Sequence, residues 1–226
     1  MFCAELKTEY EALVSSLRKI AALNVISFIT ENRFSQIDIK GTRFKLSDDF
    51  PESYTTILSD DELNKLAEKG EFNKLIKEHS VIAMCSLFEN YINRLVEITN
   101  LNSREASSYN HIKSDFGLPQ GSDNGSIRKI YFIIKKLGFT QLPFEHVQPI
   151  LLLGEMFAIR HVLVHFGGTI KKQNHREAIF EKHKIGNEIS IPDNSIDDFI
   201  HRILIHMSGL TKRIDTHIEE SYEKLA

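Results

Sequence analysis

"EMFAIRHVLVHFGG", residues 155–168, sets Arg160, His161 and His165 into an otherwise apolar run that ends in two glycines. On an ideal helix each residue turns about 100°, so His161 lies about 100° and His165 about 140° round from Arg160. Leu152, Met156, Ile159, Val162, Leu163 and Phe166 fall on the other side and form the expected core face. Leu153, Phe157 and Val164 share the polar side, which therefore offers apolar area beside charge. Such a face suits a partner surface better than open water. Phe157 and Val164 are accordingly the expected dimer-interface residues.

Working outward, Pro149 fits the first turn of this helix, and Gly167 with Gly168 ends it. "SIRKIYFIIKKLGF", 126–139, reads as a helix stopped by Gly138, and "FGLPQGSDNGS" before it as a loop. A short helix is expected around 103–114. Ser59 followed by acids is an N-cap signal. After a break at Gly70 a long helix runs to about Thr99, carrying Ile82, Leu87, Phe88, Tyr91, Leu95 and Val96 inward. The last long helix spans 195–222. At the other end, Leu6, Tyr10, Leu13, Leu17, Ile20 and Ala21 mark an amphipathic helix over 4–23. The β-branched and aromatic stretch that follows reads as a hairpin or irregular arm, and "NEISIP", 187–192, as a short strand. The expectation is a single mainly α domain over 1–226: a helical bundle with a minor β-hairpin or short-strand element, in which 1–60 is an N-terminal helix plus arm.

A length of 226 residues is enough for one sizeable core. A net charge of −3 gives no global nucleic-acid signal, although a local basic patch would be averaged away. Cys3 and Cys85 form neither a metal spacing nor a disulfide framework. Acids and lysines stand near the N-terminus where a secretory segment needs an apolar run, so a cytoplasmic location is expected. The longest apolar region, around 150–166, is interrupted by Glu155, Arg160 and two histidines. It falls short of the roughly 20 apolar residues that span a bilayer, and no membrane partner is expected.

His161 and His165, four apart, have the spacing of a zinc-binding pair. The protease form H-E-x-x-H needs glutamate where Val162 stands, so no metal and no cofactor is expected. His201, Arg202 and His206 read as solvated helix surface. Lys171, Lys172, His175, Arg176, Lys182 and Lys184 follow the glycines as a basic run.

Arg160-His161-Val-Leu-Val-His165 resembles the R-[polar]-x-x-x-H pattern near the end of a core helix in the HEPN superfamily, the higher eukaryotes and prokaryotes nucleotide-binding domains. "VLVHFGG" is similar to that family's continuation, and Ser86 to Glu89 resembles its upstream S-x-F-E-like stretch. The resemblance implies a bundle that dimerises with two such motifs facing one another across a cleft. It implies one of two activities: a metal-independent endoribonuclease, often a toxin or antiphage effector, or a catalytically silent module that binds RNA or a partner protein. In the first case RNA is the substrate, and an antitoxin or other defence-system protein is a further partner.

The residue types suit that chemistry. An imidazole titrates near neutrality, so His165 can move the proton of a ribose 2′-OH. Arg160 can hold the phosphate with a fixed, forked charge. His161 can serve as second proton carrier or phosphate ligand, Glu89 as support, and Lys171, Lys172 and Arg176 as RNA-binding cations.

Overall fold

The computed structural model describes residues 3–34, 65–116, 125–139, 148–171, 186–192 and 194–223. Its helices are α1 (Ala4–Phe34), α2 (Glu71–Ile98), α3 (Ser103–Ser108), α4 (Ile112–Phe116), α5 (Gly125–Lys136), α6 (Gln148–Phe166) and α7 (Ser195–Glu223). The chain is mainly α. Among the described residues, β structure is limited to an isolated antiparallel bridge between Thr169 and Glu188. The expected strand at 187–192 is reduced to that bridge.

Helices α1, α2 and α7 pack on one another, α6 packs on α2 and α7, and α5 packs on α2 and α3. Spacing explains the arrangement. Leu6, Leu13 and Leu17 of α1 and Ile203, Met207, Leu210 and Ile214 of α7 recur at seven-, four- and three-residue steps, so each helix turns one apolar stripe inward. They meet Val81, Met84, Phe88, Ile92 and Leu95 of α2 in a common core.

Polar contacts set the directions. The Asn24 amide donates to Ser80 Oγ at 2.7 Å, while Arg94 donates to Glu9 at 3.0 Å and to Glu5 at 2.8 Å, so α1 and α2 run antiparallel. Helix α7 is also antiparallel to α1, because the Cys3 N–H donates to Asp215 at 2.6 Å near one helix's start and the other's end. Glu31 accepts from the N–H groups of Phe72 and Asn73 at 3.2 and 3.3 Å. A carboxylate there satisfies orphan donors and complements the positive end of the α2 dipole. Gly70 ends the preceding turn at φ 71°, a left-handed conformation that glycine adopts without strain, which is the break expected there. Ser59 lies outside the described residues.

Helix α1 departs most from expectation. It continues through 24–34, where the sequence suggested an arm, and the rest of that arm lies outside the described residues. The β-branched residues of "NVISFIT" cost only a few tenths of a kcal/mol each in a helix. The Asn24 and Glu31 contacts to α2 hold this half in place. It is the one described helix long and apolar enough to cross a membrane, by length and composition. The expected helix at 103–114 is divided into α3 and α4 by extended residues around Tyr109, with Asn102 capping α3 through the N–H groups of Arg104 and Glu105.

Between α6 and α7 lies a buried polar group that the sequence pattern misplaced. His206 is 2 % exposed and Glu155 8 % exposed, so His206 is not solvated surface, whereas His201 is exposed. Position 206 adjoins Met207 on the inward stripe of α7, which is why it is covered. Burial lifts the Glu155 carboxyl to about 7, with the charge of Arg202 opposing. Burial also lowers the His206 imidazole to about 4, and Arg202 acts in the same direction.

The two shifts have opposite signs in stability. Between the usual carboxyl value of 4.5 and about 7, the folded chain keeps a Glu155 proton that the unfolded chain releases, so stability falls as pH rises. Between about 4 and the usual 6.5, the unfolded chain protonates His206 and the folded chain does not, so stability rises with pH. The effects largely cancel. Glu155→Gln is therefore expected to leave a chain less stable near pH 5 than near pH 7, and His206→Gln the reverse, each by about 2 kcal/mol. Thermal melts across that range check both slopes, and parallel profiles for the two variants would refute the cancellation.

Candidate functional site

The end of α6 carries the candidate site. This helix packs against α2 through Met156, Phe157 and Arg160. Leu153 is fully buried, Phe157 is 7 % exposed, and the Phe157 ring lies 5.8 Å from that of Phe88. Phe157 is therefore a core residue within one chain, which corrects its assignment to a dimer interface. The reason is that α6 is enclosed by two helices, so its apolar arc is wider than a one-sided stripe. Val164, at 53 % exposed, does face outward as expected.

One turn beyond Phe157, Arg160 reaches the edge of the α2 contact. Its Nη1 donates to Glu89 Oε2 at 2.6 Å, with both side chains about one-third exposed, at 31 % and 34 %. The sequence paired these residues only through family resemblance; the fold brings them into direct contact. Beneath the pair, Cys85 is fully buried and its Sγ donates to the Met156 carbonyl at 3.6 Å. Burial pushes the Cys85 thiol far up, with Arg160 opposing and Glu89 reinforcing. A thiol so held is no nucleophile.

His161 and His165 are exposed, one turn apart, with ring centroids 4.7 Å apart. Phe166 is half-buried and meets His161 edge-on at 5.5 Å. Beyond it, Gly167 and Gly168 take φ of 57° and 79°, two successive left-handed residues that reverse the chain. The Gly168 N–H donates back to the Val162 carbonyl at 3.1 Å, and its own carbonyl accepts from Ile189 at 2.8 Å. Ile170 and Asn187 are joined likewise at 3.0 Å. This closure seats Lys171 Nζ 5.6 Å from the centre of the Phe166 ring. Lys172 and Arg176 lie outside the described residues.

The fold thus joins Arg160 to Glu89 on one side of the α6 end, and His161 to His165 and Phe166 on the same last turns. Phe166, which the sequence put on the core face, does pack against the core but is only half-buried, and its remaining surface meets His161 and Lys171. Chemically, the site offers two water-accessible imidazoles for proton movement, a guanidinium held by a carboxylate, and an aromatic face beside a lysine. Among the described residues, no group of three or more His, Cys, Asp or Glu is assembled for a metal ion. The chain matches no protein-family model, no curated protein and no solved structure.

Proposed function

We propose that the chain is a HEPN-like, metal-independent endoribonuclease that works as a homodimer, serving as a bacterial toxin or antiphage effector. The observation that carries the reading is the grouping at the end of α6: exposed His161 and His165 in ring contact, beside an Arg160 oriented by Glu89. In this reading His165 takes the 2′-OH proton, the 2′-oxygen attacks the adjacent phosphorus, and the 5′-oxygen leaves with a proton delivered by His161 or by the partner's motif. The products are a 2′,3′-cyclic phosphate and a 5′-hydroxyl. Arg160 holds the phosphate oxygens as charge builds on them. Phe166 offers a stacking face for a base, and Lys171 a phosphate contact. Val164 supplies exposed apolar area for the dimer, and an antitoxin or other defence-system protein is a further expected partner.

A specific observation also favours the second reading, a catalytically inactive HEPN-like module that binds RNA or a protein. The carboxylate of Glu89 already occupies part of the Arg160 fork, which reduces what that fork offers a phosphate. One assay separates the two: purified chain incubated with RNA in EDTA. Cleavage leaving cyclic-phosphate ends supports the enzyme. Binding without cleavage supports the silent module, and metal-dependent cutting of DNA overturns both.

Glu89 yields a sharper check. As a positioning residue it acts through Arg160, so Glu89→Gln, which keeps a hydrogen-bond acceptor and removes the charge, is expected to lower kcat about tenfold, equivalent to ~1.4 kcal/mol. RNA affinity should be unchanged or higher, because an acid has left the phosphate's neighbourhood. A loss confined to affinity, with kcat intact, would remove Glu89 from the proposal.

A further inference from the structure

We propose that the distal half of α1 is a docking ridge for an anionic lipid surface. Its apolar residues face the wrong way for a core. Leu23, Val25, Ile26, Phe28 and Ile29 are 44–59 % exposed, whereas the side turned to α2 carries the polar Asn24 and Glu31. The outward apolarity is therefore not a by-product of packing, and soluble monomers rarely expose contiguous apolar patches of this kind.

The shape of the patch selects the occupant. At about 100° per residue, these five side chains sweep an arc of about 220°, whereas one packed helix covers a stripe of about 100°. Val25 and Phe28 border a groove toward Asn73, Lys77, Ile196 and Asp197, while Leu23, Ile26 and Ile29 form the crest, so a rigid partner would have to meet two sides of the ridge. A lipid interface conforms to it, and sinking half a helix diameter, about 5–6 Å, matches the usual depth of about 5–10 Å for interfacial helices.

Charge agrees with shape. Arg18 and Lys19 precede the ridge and Arg33 follows it, all three exposed on the same outward side and about 22 Å apart along the axis. None of the three makes an ion pair among the described residues. Glu31, the acid on this stretch of α1, is turned inward to the α2 N-terminus, and the exposed Asp197 of α7 lines a groove beside Val25 and Phe28 that Lys77 also lines. Along α1 itself, cations at both ends with no outward acid between them complement anionic headgroups. Leu6, Leu13 and Leu17 are locked in the core, so α1 lies along the surface and does not cross it. The expectation of no membrane partner weighed only the apolar region at 150–166 and passed over this ridge.

The test is co-sedimentation of the full chain with vesicles, either phosphatidylcholine alone or mixed with phosphatidylglycerol. Binding to the mixed vesicles is expected, weakening with salt. The double variants Ile26→Asp/Ile29→Asp and Arg18→Glu/Lys19→Glu should each bind about tenfold or more weakly while keeping the wild-type circular dichroism melt. Should the aspartate pair fail to fold, Leu23→Ser/Phe28→Ser gives the same reading with less charge. The proposal is overturned if wild-type chain stays in the supernatant, if it binds phosphatidylcholine alone equally well, or if the ridge variants bind as wild type does. It is also overturned if light scattering shows a dimer that the ridge variants split, since a second copy would then cover the ridge.

Discussion

His165→Ala is expected to lower RNA cleavage by about 10²–10⁴-fold, the usual cost of losing a positioned acid or base. Arg160→Ala should lower it by about 10²–10³-fold, the cost of losing a charge-stabilising donor. Neither change should unfold the chain. His165 is exposed, and surface truncations of that kind stay within about 0.5 kcal/mol. Arg160→Ala removes the contact with Glu89, but that carboxylate is one-third exposed and remains solvated, so the loss should be about 1 kcal/mol. Activity would therefore fall by orders of magnitude while the melting temperature moves by a few degrees. Cleavage by wild-type chain should persist in EDTA and leave DNA and 2′-O-methyl RNA intact, because the substrate's own 2′-OH is the nucleophile. Equal activity in wild type and both variants would assign the cleavage to a contaminant or to other residues, and end the proposal for this site.

What made parts of this molecule legible was punctuation. Gly138, Gly167 and Gly70 mark helix ends at the backbone positions where a left-handed φ is required, and the inward stripe of α7 follows from spacing alone. The distal half of α1 was illegible for a physical reason. Its apolar residues face outward and its polar ones inward, so a pattern rule that equates apolar with buried reads it as something other than a core helix. His206 and Phe157 misled in a related way, since how many neighbours enclose a helix is a property of the assembled bundle. Arg160, His161 and His165 were legible as a group because they fall within about a turn and a half of one helix, where His161 and His165 meet without help from the rest of the chain. Their link to Glu89 depends on how α6 lies on α2, which no local spacing encodes.

Phe157 and Val164, two residues that helical angle places on one face, should behave oppositely when changed. Phe157 is 7 % exposed and packs its ring 5.8 Å from Phe88 at the α2–α6 contact. Phe157→Ala removes a buried ring from the middle of that contact and is expected to destabilise the chain by about 3–5 kcal/mol. For a chain of this size, that shifts the melting temperature by roughly 6–20 °C, at about 2–4 °C per kcal/mol. Phe157→Asp puts a carboxylate into that packed contact, with Arg160 one turn away as its nearest cation, and should destabilise the chain more than the alanine does, with loss of helical circular dichroism. Val164 is 53 % exposed, so Val164→Asp should leave the melt within about 0.5 kcal/mol of wild type. If two copies meet through this end of α6, Val164→Asp will instead reduce the mass measured by light scattering to that of one chain. The comparison separates core from interface on one helix. A Phe157→Asp chain that keeps its helicity and merely dissociates would return Phe157 to the dimer interface and refute the packing of α6 described here.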